Sequence, residues 1–230
     1  MNSKSFAIPA LLASIASAQS APPPIPIELR ARFGFTGPLV HKVGDGIQSL
    51  KVGDINGDGR LEAVVYDGRR ARLVAVGVSN GATTTTKIPT GGQITGFELA
   101  DFAGNGQAQA LIVNSRGLMS LREKDGTEAT KPIDLGLGTR GLNIVAGDLD
   151  HDGKQDIVVV AGSKMRVVTH LASTPKLSPI EPTEGNLASI NLVDLDGDKN
   201  LDMTCIVSSG RMNLRMRLGN GDGTFGAWRI

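Results

Sequence analysis

One ten-residue pattern recurs four times at a nearly fixed interval, and it limits this chain to a small set of repeat architectures. The segments are 53–62 (GDINGDGRLE), 100–109 (ADFAGNGQAQ), 147–156 (GDLDHDGKQD) and 193–202 (VDLDGDKNLD). They align without gaps, and their first aspartates, Asp54, Asp101, Asp148 and Asp194, lie 47, 47 and 46 residues apart. A period of that length marks units that bury their apolar faces by stacking on their neighbours.

The flanks repeat in phase with the loops. Upstream, apolar residues alternate at two and four positions before each first aspartate: Val52 and Leu50, Leu99 and Phe97, Ala146 and Ile144, Leu192 and Ile190. Downstream come short aliphatic runs, Ala63-Val64-Val65, Ala110 to Val113, Ile157 to Val160 and Met203 to Val207. Alternation on one side and a continuous run on the other read as strand, loop, strand, with the second strand the more deeply buried. Weaker strand patterns follow, such as Arg72 to Val76 and Met165 to Val168. Each 47-residue unit therefore holds about four short strands, the size of one blade of a β-propeller.

The loops read D-x-[DN]-x-D-G-x-x-[DE], degraded in the second copy. Oxygen-bearing side chains at positions 1, 3, 5 and 9, with a backbone carbonyl at position 7, can converge on one centre. A hard, all-oxygen ligand set of that size suits Ca²⁺, whereas zinc and copper favour nitrogen and sulfur. The loops carry 12 of the 23 acidic residues, and carboxylates crowded into one short turn repel unless a cation neutralises them. An EF-hand is excluded, because its position 12 requires a bidentate Glu and here holds Val65, Val159 and Cys205. The β-branched flanks also disfavour helices.

These loops, their strand flanks and their spacing resemble the FG-GAP/VCBS repeats of integrin-like β-propellers, over about residues 30–230. The C-terminal stretch 218–226 (LGNGDGTFG) is similar to the strand-turn-strand that closes a VCBS unit. The resemblance implies an all-β, propeller-type array of about four four-stranded blades. It implies calcium ligands Asp54, Asn56, Asp58 and Glu62 with the Arg60 carbonyl in the first loop. In the third they are Asp148, Asp150, Asp152 and Asp156 with the Lys154 carbonyl. In the fourth they are Asp194, Asp196, Asp198 and Asp202 with the Asn200 carbonyl. The second loop, with one carboxylate, is expected to bind weakly or not at all. Lys199 replaces a glycine and places a cation in the fourth loop.

Ahead of the repeats, Lys4, the apolar stretch 6–16 and the small-residue exit Ala16-Ser17-Ala18 read as a secretory signal peptide over residues 1–18. About eleven apolar residues are too few to span a bilayer, which needs roughly twenty. Residues 19–29, containing Pro22-Pro23-Pro24-Ile25-Pro26, read as a stiff linker. Residues 29–34 resemble 214–219, so the array starts and stops at a similar phase. A small closed ring, an open arc that self-associates to complete a propeller, and part of a longer propeller all satisfy this pattern. Cys205, the one cysteine, sits in a strand pattern and reads as a buried small hydrophobe.

The expected product is secreted and non-catalytic, binding a protein or glycan partner, with calcium mainly structural. A net charge of +1 and export argue against a nucleic-acid partner. The rival class is an enzyme acting on polysaccharides, a lyase or hydrolase that uses the propeller as scaffold. Against it, H-E-x-x-H and C-x-x-C are absent, and His41, His151 and His170 share no spacing that makes a cluster. Carboxylates such as Glu98 and Glu181 look scattered and solvated.

Overall fold

The computed structural model describes residues 42–79, 81–140, 142–183, 185–208 and 212–229. The expected signal peptide, the expected linker and residues 30–41 of the expected first repeat lie outside them. The described chain forms four antiparallel sheets with no helix, and so no helix long and apolar enough to cross a membrane. The first sheet contains β1 (Ile47–Gly53), β2 (Glu62–Asp67), β3 (Arg72–Ser79) and β4 (Ala82–Pro89). The second contains β5 (Ile94–Ala100), β6 (Gln109–Asn114), β7 (Leu118–Arg122) and β8 (Ile133–Asp134). The third contains β9 (Asn143–Gly147), β10 (Asp156–Ala161), β11 (Lys164–Thr169), β12 (Lys176–Leu177) and β13 (Glu181–Pro182). The fourth contains β14 (Asn186–Val193), β15 (Asp202–Ser208) and β16 (Met212–Arg217).

The expectation of four strands per unit therefore holds for two sheets only. In the third, the outer position is divided between β12 and β13, which pair with opposite ends of β11. In the fourth, three strands are described, and the tail meets β16 at a bridge between Met216 and Arg229. Residues 218–226 do form the expected strand-turn-strand, closed by a Gly219–Phe225 bridge and by Gly226 N–H donating to the Leu218 carbonyl at 2.8 Å.

Strands follow chain order within each sheet, and sheets follow chain order in space. β1 touches β5, β5 touches β9, and β9 touches β14. Among the described residues no contact of that extent joins β14 to β1, so the row does not close on itself. Three apolar cores fill the gaps between successive sheets. Val64, Tyr66, Leu73 and Ala75 meet Phe97, Leu99, Ala110 and Ile112. Leu111, Val113, Met119 and Leu121 meet Ile157, Val159 and Ala161. Val158, Val160, Met165 and Val167 meet Leu187, Met203, Cys205 and Val207. Successive residues of a strand point to opposite faces, so β6 and β10 feed a core on each side and must be apolar throughout. That is the physical origin of the continuous aliphatic runs. In the end sheets the same strand is buried on alternate residues only, as in β15.

A buried arginine fixes the closing turn to the third sheet. Arg217 donates to Glu181 on β13 at 2.6 Å and to the carbonyls of Gly226 and Phe225. Its guanidinium lies 5.3 Å from the Trp228 ring and 5.9 Å from that of Phe225, in range for cation–π attraction.

The second residue of each of the first three acidic loops inserts between sheets: Ile55, Phe102 and Leu149 are each at most 4% exposed. Phe102, fully buried in the central gap, is the largest of these plugs. Truncating Phe102→Ala should cost about 3–5 kcal/mol, from lost transfer energy plus an unfilled cavity. Urea unfolding of the variant against the parent chain measures it.

Candidate metal centre

The four acidic loops connect the first and second strands of their sheets, and each folds its own side chains back onto its backbone. The first-position carboxylate caps the turn. Asp54 accepts from Gly57, Asp58 and Gly59 N–H, Asp101 from Asn105 and Gly106, Asp148 from Gly153, and Asp194 from Gly197 and Lys199. Position 5 accepts from the N–H of position 7 in every loop, at 2.8 to 3.0 Å. These bonds bend the chain inward and need left-handed backbone at positions 4 and 6. Gly57, Gly59, Gly104, Gly106, Gly153 and Gly197 supply it without strain, while His151 (φ 60°) and Lys199 (φ 74°) supply it with a side chain attached.

The ninth-position acid is buried and anchors the loop to the sheet. Asp156 accepts from Leu149 N–H at 3.1 Å and His170 N–H at 3.2 Å. Asp202 accepts from Leu195 N–H and Gly219 N–H, both at 2.8 Å. Two carboxylate triads result, Asp148–Asp150–Asp156 and Asp194–Asp196–Asp202, each with one oxygen per residue within 4.8 Å of the others. In the first triad the buried Oδ1 of Asp148 has no hydrogen-bond partner, a cost that a bound cation would remove. Burial pushes the Asp156 carboxyl up to about 6, and the charges of Asp150 and Asp152 add to the shift against the opposing Leu149 and His170 hydrogen bonds. A divalent cation inside the triad acts in the opposite sense and favours the ionised form. The donor set, all oxygen and mostly carboxylate, fits calcium chemistry.

The other two loops differ. In the first loop position 3 is Asn56, so positions 1, 3 and 9 cannot form a triad of carboxylates; its amide donates to Glu62 at 2.9 Å, and Glu62 also accepts from Ile55 N–H. Asp58, Asp152 and Asp198 at position 5 each accept from the N–H of position 7 and so hold the turn. The second loop keeps the same turn with Asp101 as its one carboxylate.

The loops are also joined to one another. Ala108 N–H donates to the Asp54 carbonyl at 2.9 Å, and Gln155 N–H to the Asp101 carbonyl at 3.1 Å. Lys124 reaches the Asn56 carbonyl at 2.7 Å, and Gly223 N–H the Leu149 carbonyl at 2.9 Å. A cation held in one loop thus sits one hydrogen bond away from the adjoining sheet.

Residues outside the triads take the following places. His170 approaches the third loop, with Nδ1 3.6 Å from Asp150 and 2.8 Å from the Thr169 hydroxyl. His151 is exposed, as its loop position suggests, and its ring meets Asn200 at 2.8 Å. Glu98 is not solvated: it is buried and bound by Lys51 at 2.5 Å, across the β1–β5 junction. Gly77-Val78-Ser79-Asn80-Gly81 has the G-x-S-x-G spacing of a nucleophile elbow, yet Ser79 ends β3 before β4 and accepts from Arg60 at 2.8 Å. A nucleophile elbow requires a strand-to-helix turn. Cys205 is buried, and burial pushes its thiol up to about 11 despite the nearby Arg215 charge.

Two predictions follow from the geometry. Calcium titration calorimetry should find a site in the third loop and a weaker one in the fourth, with Asp150→Asn and Asp196→Asn each removing one; an unchanged count would refute the triads as sites. Lys199→Gly should raise stability by about 1 kcal/mol by relieving left-handed strain, and should tighten calcium binding by removing a like charge. Thermal unfolding and the same titration read both effects.

No family model and no curated protein matches this sequence. Solved structures do match in fold. An Agrocybe aegerita lectin that recognises non-reducing terminal N-acetylglucosamine superposes with a TM-score of 0.58 at 17% identity, over 77% of this chain and 50% of that one. BBS1N, solved in complex with ARL6DN, gives 0.52 at 12% identity over 79% of this chain and 54% of that one. The V. cholerae biofilm matrix protein Bap1 gives 0.50 at 14% identity over 79% of this chain and 28% of that one. The chain thus spans about half the length, or less, of the structures it resembles, and at these identities the likeness is one of fold.

Proposed function

We propose that this chain is an exported, calcium-stabilised repeat protein of the FG-GAP/VCBS and β-propeller type, and that it binds a glycan or protein ligand without catalysing a reaction. The observation that carries the proposal is the pair of carboxylate triads on loops tied by hydrogen bonds to adjoining sheets. Sheet-after-sheet packing, with first strands adjacent, supports the propeller-type reading. Calcium serves to hold the sheets in register, leaving other loops and turns to present ligand contacts. The fold likeness to a lectin, to BBS1N solved in complex with ARL6DN and to a matrix protein supports a binding role. Export rests on the residue pattern of positions 1–18.

Glycan display tests the binding role. The full chain, in calcium, should be retained by at least one glycan class among N-acetylglucosamine-terminated and uronic-acid-containing probes, and chelator should abolish retention. Release of new reducing or unsaturated ends from a uronic-acid polymer would replace the binding reading with the enzymatic one.

A further inference from the structure

The repeat gives every sheet the same two faces, and the three internal junctions show what each face is for. The leading face of a sheet presents the two alternating residues of its first strand. Phe97 and Leu99, Ile144 and Ala146, and Ile190 and Leu192 all pack into the gap before their own sheet. Their counterparts in the first sheet, Leu50 and Val52, are 62% and 57% exposed. Leu201 packs in the same way against Gly147, while its counterpart Leu61 is 68% exposed. The trailing face repeats the lesson at the other end. Ile55, Phe102 and Leu149 are buried plugs, yet the equivalent Leu195 is 47% exposed, and Val193 beside it 42%. On the same face Leu214 of β16, paired with Ile206, is 63% exposed. Contiguous apolar faces of this kind mark interaction surfaces.

We infer that these faces are the two halves of one interface, and that each is covered by a second copy of this chain: Val193, Leu195 and Leu214 of one copy against Leu50, Val52 and Leu61 of the other. The inference rests on the four-sheet repeat reading and is independent of the calcium and ligand assignments. Among the described residues no contact comparable to those between successive sheets joins β14 to β1, and the residues named on both faces are exposed. A head-to-tail contact usually propagates, but two half-rows related by a two-fold axis close on each other through two identical junctions. The resulting row of eight sheets doubles a chain that covers about half of the lectin and BBS1N structures it matches.

Light scattering after size exclusion of the full chain tests this, run at tens of micromolar in calcium and again in chelator. The expected mass is that of a dimer. Val52→Asp and Val193→Lys should each give folded monomers, because both positions are exposed within one copy. Mixing the two variants should restore the dimer, since one junction is then unaltered and the other opposes Asp to Lys. Pairing of like faces would not be restored by mixing. A monomeric parent chain, or single variants that stay dimeric, would overturn the inference. If a variant fails to fold, the parent mass still decides, and chelator separates loss of calcium from loss of the interface.

Discussion

The ninth-position carboxylate of the first, third and fourth loops connects the acidic turns to their sheets. Asp156 and Asp202 are buried, and each accepts two backbone N–H groups, one from the second residue of its loop and one from the turn after the third strand. The same acids complete the triads. In the third loop the position of the plug Leu149 in the inter-sheet core and the charge at the loop centre are therefore fixed by one side chain, Asp156. Disturbing either disturbs the other, which makes the loops part of the stability of the sheets.

From that coupling follows the role of a cation. Buried and crowded carboxylates are costly when ionised, and the orphaned oxygen of Asp148 adds to the cost. At about 1 mM free calcium and a dissociation constant near 0.1 mM, typical of extracellular modules, each filled site stabilises the fold by about 1.4 kcal/mol. Two such sites supply a sizeable part of the stability of a domain that is marginally stable in total.

Much of this was legible in the residues. The 47-residue period located the loops, and the period-two alternation located the strand faces, because both depend on local geometry. The continuous runs at Ala110 to Val113 and Ile157 to Val160 correctly marked strands buried on both sides. What depends on distant partners was not legible. Glu98 looks like any surface glutamate until β1 brings Lys51 to it, and His170 has no spacing relative to Asp150 that announces their approach. The division of the third sheet's outer position between β12 and β13 follows from turn and proline placement, which periodicity does not register. Nor does the repeat distinguish an end sheet from a middle one: Leu50 and Phe97 carry the same apolar signal, and only the presence of a preceding sheet decides which is buried.

The central claim is that calcium in the acidic loops holds the sheets together, and thermal unfolding of the full chain tests it most directly. With 1 mM calcium the midpoint should stand roughly 5–10 °C above that in excess chelator, and magnesium should not restore it. An identical midpoint in calcium and chelator would contradict the account, and would leave the acidic loops as solvated turns on an otherwise unchanged stack of sheets.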